Sequence, residues 1–190
     1  MGHIPSMKTS EARALIAATP IGSRDPRRWI DLGCGSGTFT VALAELLPAG
    51  SHILAVDQDA AALRGIPPRH SDVTISTRVA DATSLDLEPV DGVLMANVLH
   101  FVADQPALLA RLAMITPTVV LVEYDRTKPH PPWVPYPVPR DWAVELFRQA
   151  GFTTANALGT KASRYGPDPL YAVSFEQWSS AEAQPLSSQR

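Results

Sequence analysis

The sequence predicts an α/β protein with a mostly parallel, doubly wound sheet and helices on both faces. Three observations carry this. The apolar run Trp29-Ile30-Asp31-Leu32 feeds the glycine-rich turn Gly33-Cys34-Gly35-Ser36-Gly37, and that turn opens an apolar-periodic helix at Thr38. A second apolar run, Ile53-Leu54-Ala55-Val56, closes on Asp57, 20 residues after Gly37. That is about the offset at which a strand-end carboxylate meets the ribose of a nucleotide-like ligand held at a glycine turn. Further along, strand-like runs alternate with helix-periodic ones, which means βαβ units, parallel pairing and right-handed crossovers.

In chain order, Thr9 to Ala18 reads as a helix capped by Thr9 or Ser10, with Glu11 in its first turn, Leu15 and Ile16 facing inward, and Pro20 and Gly22 ending it. Ser23 to Arg28 is a polar connector whose Arg24, Arg27 and Arg28 are either a solvated lead-in or contacts for an anionic ligand. The glycines of the turn supply positive φ and close backbone approach. Thr38 to Leu47 is helical with Phe39, Leu43, Leu46 and Leu47 on one side, and Pro48-Ala49-Gly50 stops it. Asp59 caps a short helix through Leu63 and Arg64, broken by Pro67-Pro68. Val73 to Val79 alternates apolar and polar residues, as a strand near a sheet edge does, and Asp81 follows it.

Val90 to Met95 is a fourth strand. Asp104 and Pro106 start a helix whose apolar face is Leu108, Leu109, Leu112 and Ile115. Val119 to Val122 is a continuous apolar run, hence a strand buried on both faces. Six prolines between Asp125 and Pro139 rule out regular structure there. Arg140 to Ala150 is a helix ended by Gly151, and Thr153 to Leu158 and Leu170 to Phe175 are strands. The Ser/Gln-rich stretch from Gln177 to Arg190 is expected to fray.

Bulk properties narrow the function. At 190 residues, with 45% hydrophobic and 18% charged residues, the chain suits one domain with a substantial core. The net charge is −3 with no basic run, which disfavours nucleic acid as substrate because phosphate contacts dominate that affinity. The single cysteine, Cys34, excludes a disulfide framework or a Cys-rich metal site within the chain. No apolar stretch reaches the roughly 18 residues of a transmembrane helix, and no signal-peptide core opens the chain, so a cytoplasmic enzyme away from membranes is expected. Met1 to Met7 reads in part as an added expression sequence, since Met7 could serve as a natural start.

The glycine spacing is G-x-G-x-G, not the G-x-G-x-x-G of dinucleotide oxidoreductases. Asp31-Leu32-Gly33-Cys34-Gly35-Ser36-Gly37 resembles the first motif of class I S-adenosylmethionine-dependent methyltransferases. The likeness continues through Ala55-Val56-Asp57, Val79-Ala80-Asp81-Ala82 and Ala96-Asn97-Val98-Leu99-His100, and so covers residues 29 to 176. It implies a seven-stranded, mostly parallel sheet finished by a C-terminal antiparallel hairpin. Residues 1–28 then form an N-terminal helix and connector, 29–176 the methyltransferase domain, and 177–190 a flexible tail.

The resemblance also implies a cofactor, S-adenosylmethionine, and residues to hold it. Gly33 and Gly35 lie against its methionine and ribose, with Cys34 as a small filler of the loop and Gly37 closing the turn. Asp31 either orders the loop and meets the amino group or only stabilises the loop. Asp57 takes the ribose hydroxyls, or is a helix-capping aspartate, and Gln58 flanks the adenine. Asp81 accepts from the adenine amino group, or caps the turn after its strand, and Ala82 offers its backbone N–H to the ring. Asn97 marks the backbone that holds the methionine amino group.

On the acceptor side His100 is a candidate general base, because an imidazole titrates near neutrality; the alternative is a histidine that only packs. Glu123, Tyr124 and Asp125 end a strand at the same sheet edge and could line the acceptor pocket. Trp133 and Tyr136 of the proline-rich segment either wall that pocket or pack on the body as a connector. Methyl transfer from an activated donor is largely positioning, so a dedicated catalytic side chain need not exist. No metal site is expected. With about 28 residues before the first strand, the pocket could be open, covered by the proline segment or closed by a second copy in a homodimer. The expected function is methyl transfer to oxygen or nitrogen of a small molecule. The alternatives are a noncatalytic methyltransferase-fold scaffold or binding protein, or a protein methyltransferase.

Overall fold

Eight strands form one sheet in the order β3-β4-β2-β1-β5-β6-β8-β7. The computed structural model describes residues 7–21, 24–84, 86–164 and 166–177. The strands are β1 (Arg28–Leu32), β2 (His52–Asp57), β3 (Arg69–His70), β4 (Val73–Val79), β5 (Gly92–Ala96), β6 (Thr118–Tyr124), β7 (Phe152–Lys161) and β8 (Leu170–Gln177). The helices are α1 (Thr9–Ile16), α2 (Thr38–Ala44), α3 (Ala60–Leu63), α4 (Gln105–Ala113) and α5 (Arg140–Gln149), with a 3₁₀ turn at Leu99–Phe101. Strands β4, β2, β1, β5 and β6 pair in parallel, whereas β8 runs antiparallel to both β6 and β7.

The strand order reverses at β1. The chain steps outward from β1 through β2 to β4, then returns to lay β5 on its other side. The carboxyl ends of β1 and β5 therefore flank the crevice where open α/β sheets take ligands.

Successive strand residues point to opposite faces, and both faces are covered. Trp29, Leu94 and Val120 pack with Leu15 and Ile16 of α1 and Phe39 and Leu43 of α2. Ile30, Val93 and Leu121 pack with Leu108 and Leu112 of α4 and Leu146 and Phe147 of α5. Phe147 stacks on Phe175 with ring centroids 3.8 Å apart and meets Phe152 edge-on, which fixes α5 against the hairpin.

Several boundaries differ from the sequence expectation. Among the described residues there are eight strands rather than seven, because Arg69 and His70 add a short antiparallel strand to β4. Neither Thr9 nor Ser10 caps α1. Lys8 is the N-cap, and Glu11 reaches back to accept its backbone N–H at 3.0 Å. Helix α2 ends at Ala44, so Leu46 and Leu47 pack from the turn that follows. The fourth strand starts at Gly92, since the Val90 N–H is drawn off to the Ile115 carbonyl at 2.8 Å. Gly22, the first six residues and 178–190 lie outside the described residues, and with them the helix-ending role of Gly22 and the fraying expected of the tail.

Candidate active site

The glycine turn is tied to the neighbouring strand. Gly33 and Cys34 both donate their N–H to the Val56 carbonyl, at 2.7 and 2.9 Å. Gly33 has φ of +73° and packs so closely under Val98 that any Cβ there would overlap that side chain. Gly37 is glycine for a different reason: it is the left-handed N-cap of α2, and a Cβ would lie 2.7 Å from Ile66. It lines none of the cavities described below. A Cβ on Gly35, by contrast, would meet no protein atom within 4 Å.

Asp31 is fully buried beneath the turn. One oxygen accepts from the Thr40 hydroxyl at 2.6 Å, and the other has no protein partner. Burial, and then the nearby Asp57 carboxylate, push its pKa up to about 7 against the pull of Thr40. The Cys34 thiol is raised well above its ordinary value, first by burial and then by the carboxylates of Asp31 and Asp57. It is therefore held as a thiol, which fits a filler and not a nucleophile.

Asp57 is already engaged at both oxygens. One accepts the Gly35 N–H at 2.7 Å and the other the Asp59 N–H at 2.8 Å. Each oxygen keeps a second lone pair, so a pair of hydroxyls can still be accepted. Asp59, not Asp57, caps α3. Asp81 holds the turn after β4, accepting the Thr83 hydroxyl and N–H at 2.7 Å each, and these bonds lower its pKa.

Three cavities meet over the carboxyl edge of the sheet. The first, about 650 Å³, is lined by Gly33, Asp57, Gln58, Asp81, Ala82 and Asn97, among others. Arg111 of α4, also in its wall, hydrogen-bonds the Thr83 carbonyl. The second, about 350 Å³, lies over Asp31, Gly33, Cys34, Gly35 and Asn97 and reaches Lys161 and Arg164. The third, about 500 Å³, is lined by Asn97, His100, Phe101, Tyr124, Trp133 and residues of the segment beyond β7. Asn97 is common to all three. It adopts φ of +58°, rare outside glycine, and its buried Oδ1 has no protein partner.

His100 is 2% exposed at the floor of the third cavity. Its Nδ1 is 2.6 Å from Glu123 Oε2, and its backbone N–H donates to the other Glu123 oxygen at 3.2 Å. The sequence marked Glu123 only as a pocket candidate. Its pairing with a residue 23 positions earlier has no local signature. Asp125 does not line the cavity; its carboxylate accepts the Arg140 N–H at 3.0 Å. Tyr136 does not line it either. Its backbone accepts from Gln105 and donates to the His100 carbonyl, so it props the turn that carries His100. Sequence reasoning missed Arg126, His130, Ser163 and Asp168, which complete the cavity from two loops. Arg27 and Arg28 pair with Asp91 and Glu88, so neither serves the site.

The chain's residues fit S-adenosylmethionine. Gly35 leaves open space above the turn, the unpartnered oxygens of Asp31 and Asn97 suit an ammonium group, and Asp57 retains acceptor capacity for a ribose. The joined first and second cavities would hold the nucleoside and amino acid halves respectively.

Comparison with known proteins agrees with this. Residues 30–116 match the family model described as a methyltransferase domain. Over 107 residues the chain is 36% identical to a trans-aconitate 2-methyltransferase of Methylobacterium nodulans, covering 56% of this chain but 40% of that protein. The chain thus spans about two fifths of the length of that relative. The crystal structure of magnesium protoporphyrin IX methyltransferase from Synechocystis PCC 6803 with bound S-adenosylmethionine superposes with a TM-score of 0.66 at 16% identity. It covers 90% of this chain and 78% of that one. The N-terminal domain of EvdMO1 with S-adenosylhomocysteine bound gives 0.63 at 22% identity, over 92% and 82%. Residues 30–116 thus resemble a methyltransferase domain in sequence, and nearly the whole chain shares its fold with these solved structures.

Proposed function

We propose that the protein transfers a methyl group from S-adenosylmethionine to an oxygen or nitrogen of a small molecule. The observation that carries this reading is the meeting of three cavities at Asn97, with cofactor-type residues in two of them and a buried His–Glu pair in the third. The small-molecule methyltransferase among its relatives points the same way.

In this reading Asp57 takes the ribose hydroxyls, Gln58 and Ala82 border the adenine, and Asp81 faces its amino group. Asp31 and Asn97 receive the ammonium of the amino acid half. When bound, S-adenosylmethionine supplies an activated methyl group on its sulfonium. The walls hold the acceptor in line, and excluding a wrong approach supplies much of the rate.

His100 then manages the proton. Glu123 accepts a hydrogen bond from Nδ1–H, which holds the proton on Nδ1 and leaves Nε2 as the basic nitrogen. His100 Nε2 would take the proton that the acceptor's hydroxyl or amine gives up. Glu123 steadies the imidazolium that results.

Calorimetric titration with S-adenosylmethionine and S-adenosylhomocysteine tests the donor half. Micromolar binding is expected, weakened by more than about tenfold in Asp57→Ala, or about 1.4 kcal/mol. Absence of binding to either ligand would overturn the reading.

A further inference from the structure

The third cavity has two features that the cofactor reading does not use. The first is aromatic surface. Phe101 and Trp133 are 53% and 69% exposed, yet both line this cavity together with Tyr124; Phe101 and Tyr124 are shared with the first and second cavities respectively, and Trp133 belongs to this one alone. Large rings left facing water are costly unless something covers them, and ring faces are stacking platforms. Proline-rich backbone on either side presents Trp133, with the Trp133 and Val134 N–H groups both donating to the His130 carbonyl at 2.9 Å. The wall is therefore built before a ligand arrives.

The second feature is the balance of charge among the described residues of the lining. The cavity's arginine, Arg126, is spent on Asp168 at 2.8 Å, in the same wall. Lys161 and Arg164 of the adjoining second cavity share the single carboxylate of Glu11, at 3.0 and 2.9 Å, and neither lines the third cavity. A polycarboxylate entering the third cavity would lose its hydration and meet a guanidinium already neutralised. A flat neutral ring would lose little and gain contact with three side chains. The volume of about 500 Å³ suits a molecule of one or two fused rings.

We infer that the acceptor is an uncharged, planar hydroxyaromatic molecule, stacked between Phe101 and Trp133 with its hydroxyl toward His100, and not a polycarboxylate. This rests on the methyltransferase reading above. It departs from the substrate in the name of the trans-aconitate relative, which matches little more than half of this chain.

The test uses the full chain saturated with S-adenosylhomocysteine, and three probes: 2-naphthol, its saturated analogue decahydro-2-naphthol, and trans-aconitate. Calorimetry should show 2-naphthol binding at least tenfold tighter than either of the others. With S-adenosylmethionine instead, mass spectrometry should show 2-methoxynaphthalene. Trp133→Ala and Phe101→Ala should each weaken 2-naphthol at least tenfold, while in Trp133→Ala, which lies outside the cofactor cavities, affinity for S-adenosylhomocysteine changes less than twofold. Trp133→Phe should recover most of the loss. Tighter binding of trans-aconitate, equal binding of the saturated analogue, or indifference to both alanine variants would overturn the inference. So would no binding of any probe to protein that still binds S-adenosylhomocysteine. Failure to bind S-adenosylhomocysteine would instead overturn the underlying reading.

Discussion

Asp31 shows what a single residue costs and supplies here. A carboxyl with its pKa raised to about 7 holds its proton in the folded protein while the unfolded chain, near its ordinary value, has lost it. The unfolded state then binds fewer protons, so this group's contribution to stability falls as pH rises from about 4 to about 7. Asp31→Asn should abolish that slope. Thermal melts of parent and variant from pH 4.5 to 8 should show the variant gaining on the parent as pH rises, and a constant difference would refute the assignment. Gly33→Ala should destabilise by at least about 2 kcal/mol, from overlap with Val98 and left-handed strain together, as read by urea unfolding. His100→Gln should slow methyl transfer by roughly 10² or more without changing cofactor affinity. Glu123→Gln should do less and should move the pH–rate profile. At this scale the glycine turn, Asp57, Asp81 and His100 were legible because their spacing is local. The Glu123 partner, and the Arg126–Asp168 pair 42 positions apart, became visible only when folding joined them. The sequence marks Gly37 for the cofactor turn, and it is seen to pack against Ile66; Tyr136, pocket wall or connector by sequence, supports the His100 turn through its backbone.

Among elements, the proline segment between β6 and α5 is the one the sequence could only call irregular. Its order comes from outside itself. Gln105 of α4 donates to the carbonyls of Leu99 and Tyr136, at 3.2 and 3.0 Å, and so joins the His100 turn to the segment. Tyr171 of β8 donates its hydroxyl to the Val138 carbonyl at 2.7 Å, and burial raises that phenol's pKa well above its usual value. Tyr171→Phe should therefore cost about 1 kcal/mol of stability. Gln105→Ala should cost a similar amount and raise the acceptor KM more than it lowers kcat, since it loosens the wall but leaves His100 paired. Equal changes in both would place Gln105 in the chemical step. The strands with continuous apolar runs were readable because burial on both faces leaves that mark. The two-residue β3 carries no periodicity to read, and the late start of β5 goes with a bond from the Val90 N–H to the distant Ile115 carbonyl.

For the molecule as a whole, α1 is clasped to the far end of the sheet. Glu11 bonds Lys161 and Arg164, and the Lys8 N–H and Lys161 lower its pKa to about 2. A depressed carboxylate contributes stability above its unfolded value that is lost as pH falls toward the folded one. The stability difference between the parent and Glu11→Gln should therefore shrink from pH 5 to pH 3, and also with added salt because its ion pairs still reach solvent. The parallel half of the sheet and its helices on both faces were evident from the alternation of apolar runs, whereas the place of β8 was not. That placement bears on how the protein is made. Strand β8 lies inside the sheet, its seven residues Leu170 to Glu176 paired to the whole of β6. During synthesis β6 emerges some fifty residues before its partner does. Until then an all-apolar edge, Val119 to Val122, stands open to any other strand in the cell. A nascent chain stalled in the loop before Leu170 would carry a complete glycine turn and a half-built sheet, and would be a target for chaperones rather than an early enzyme.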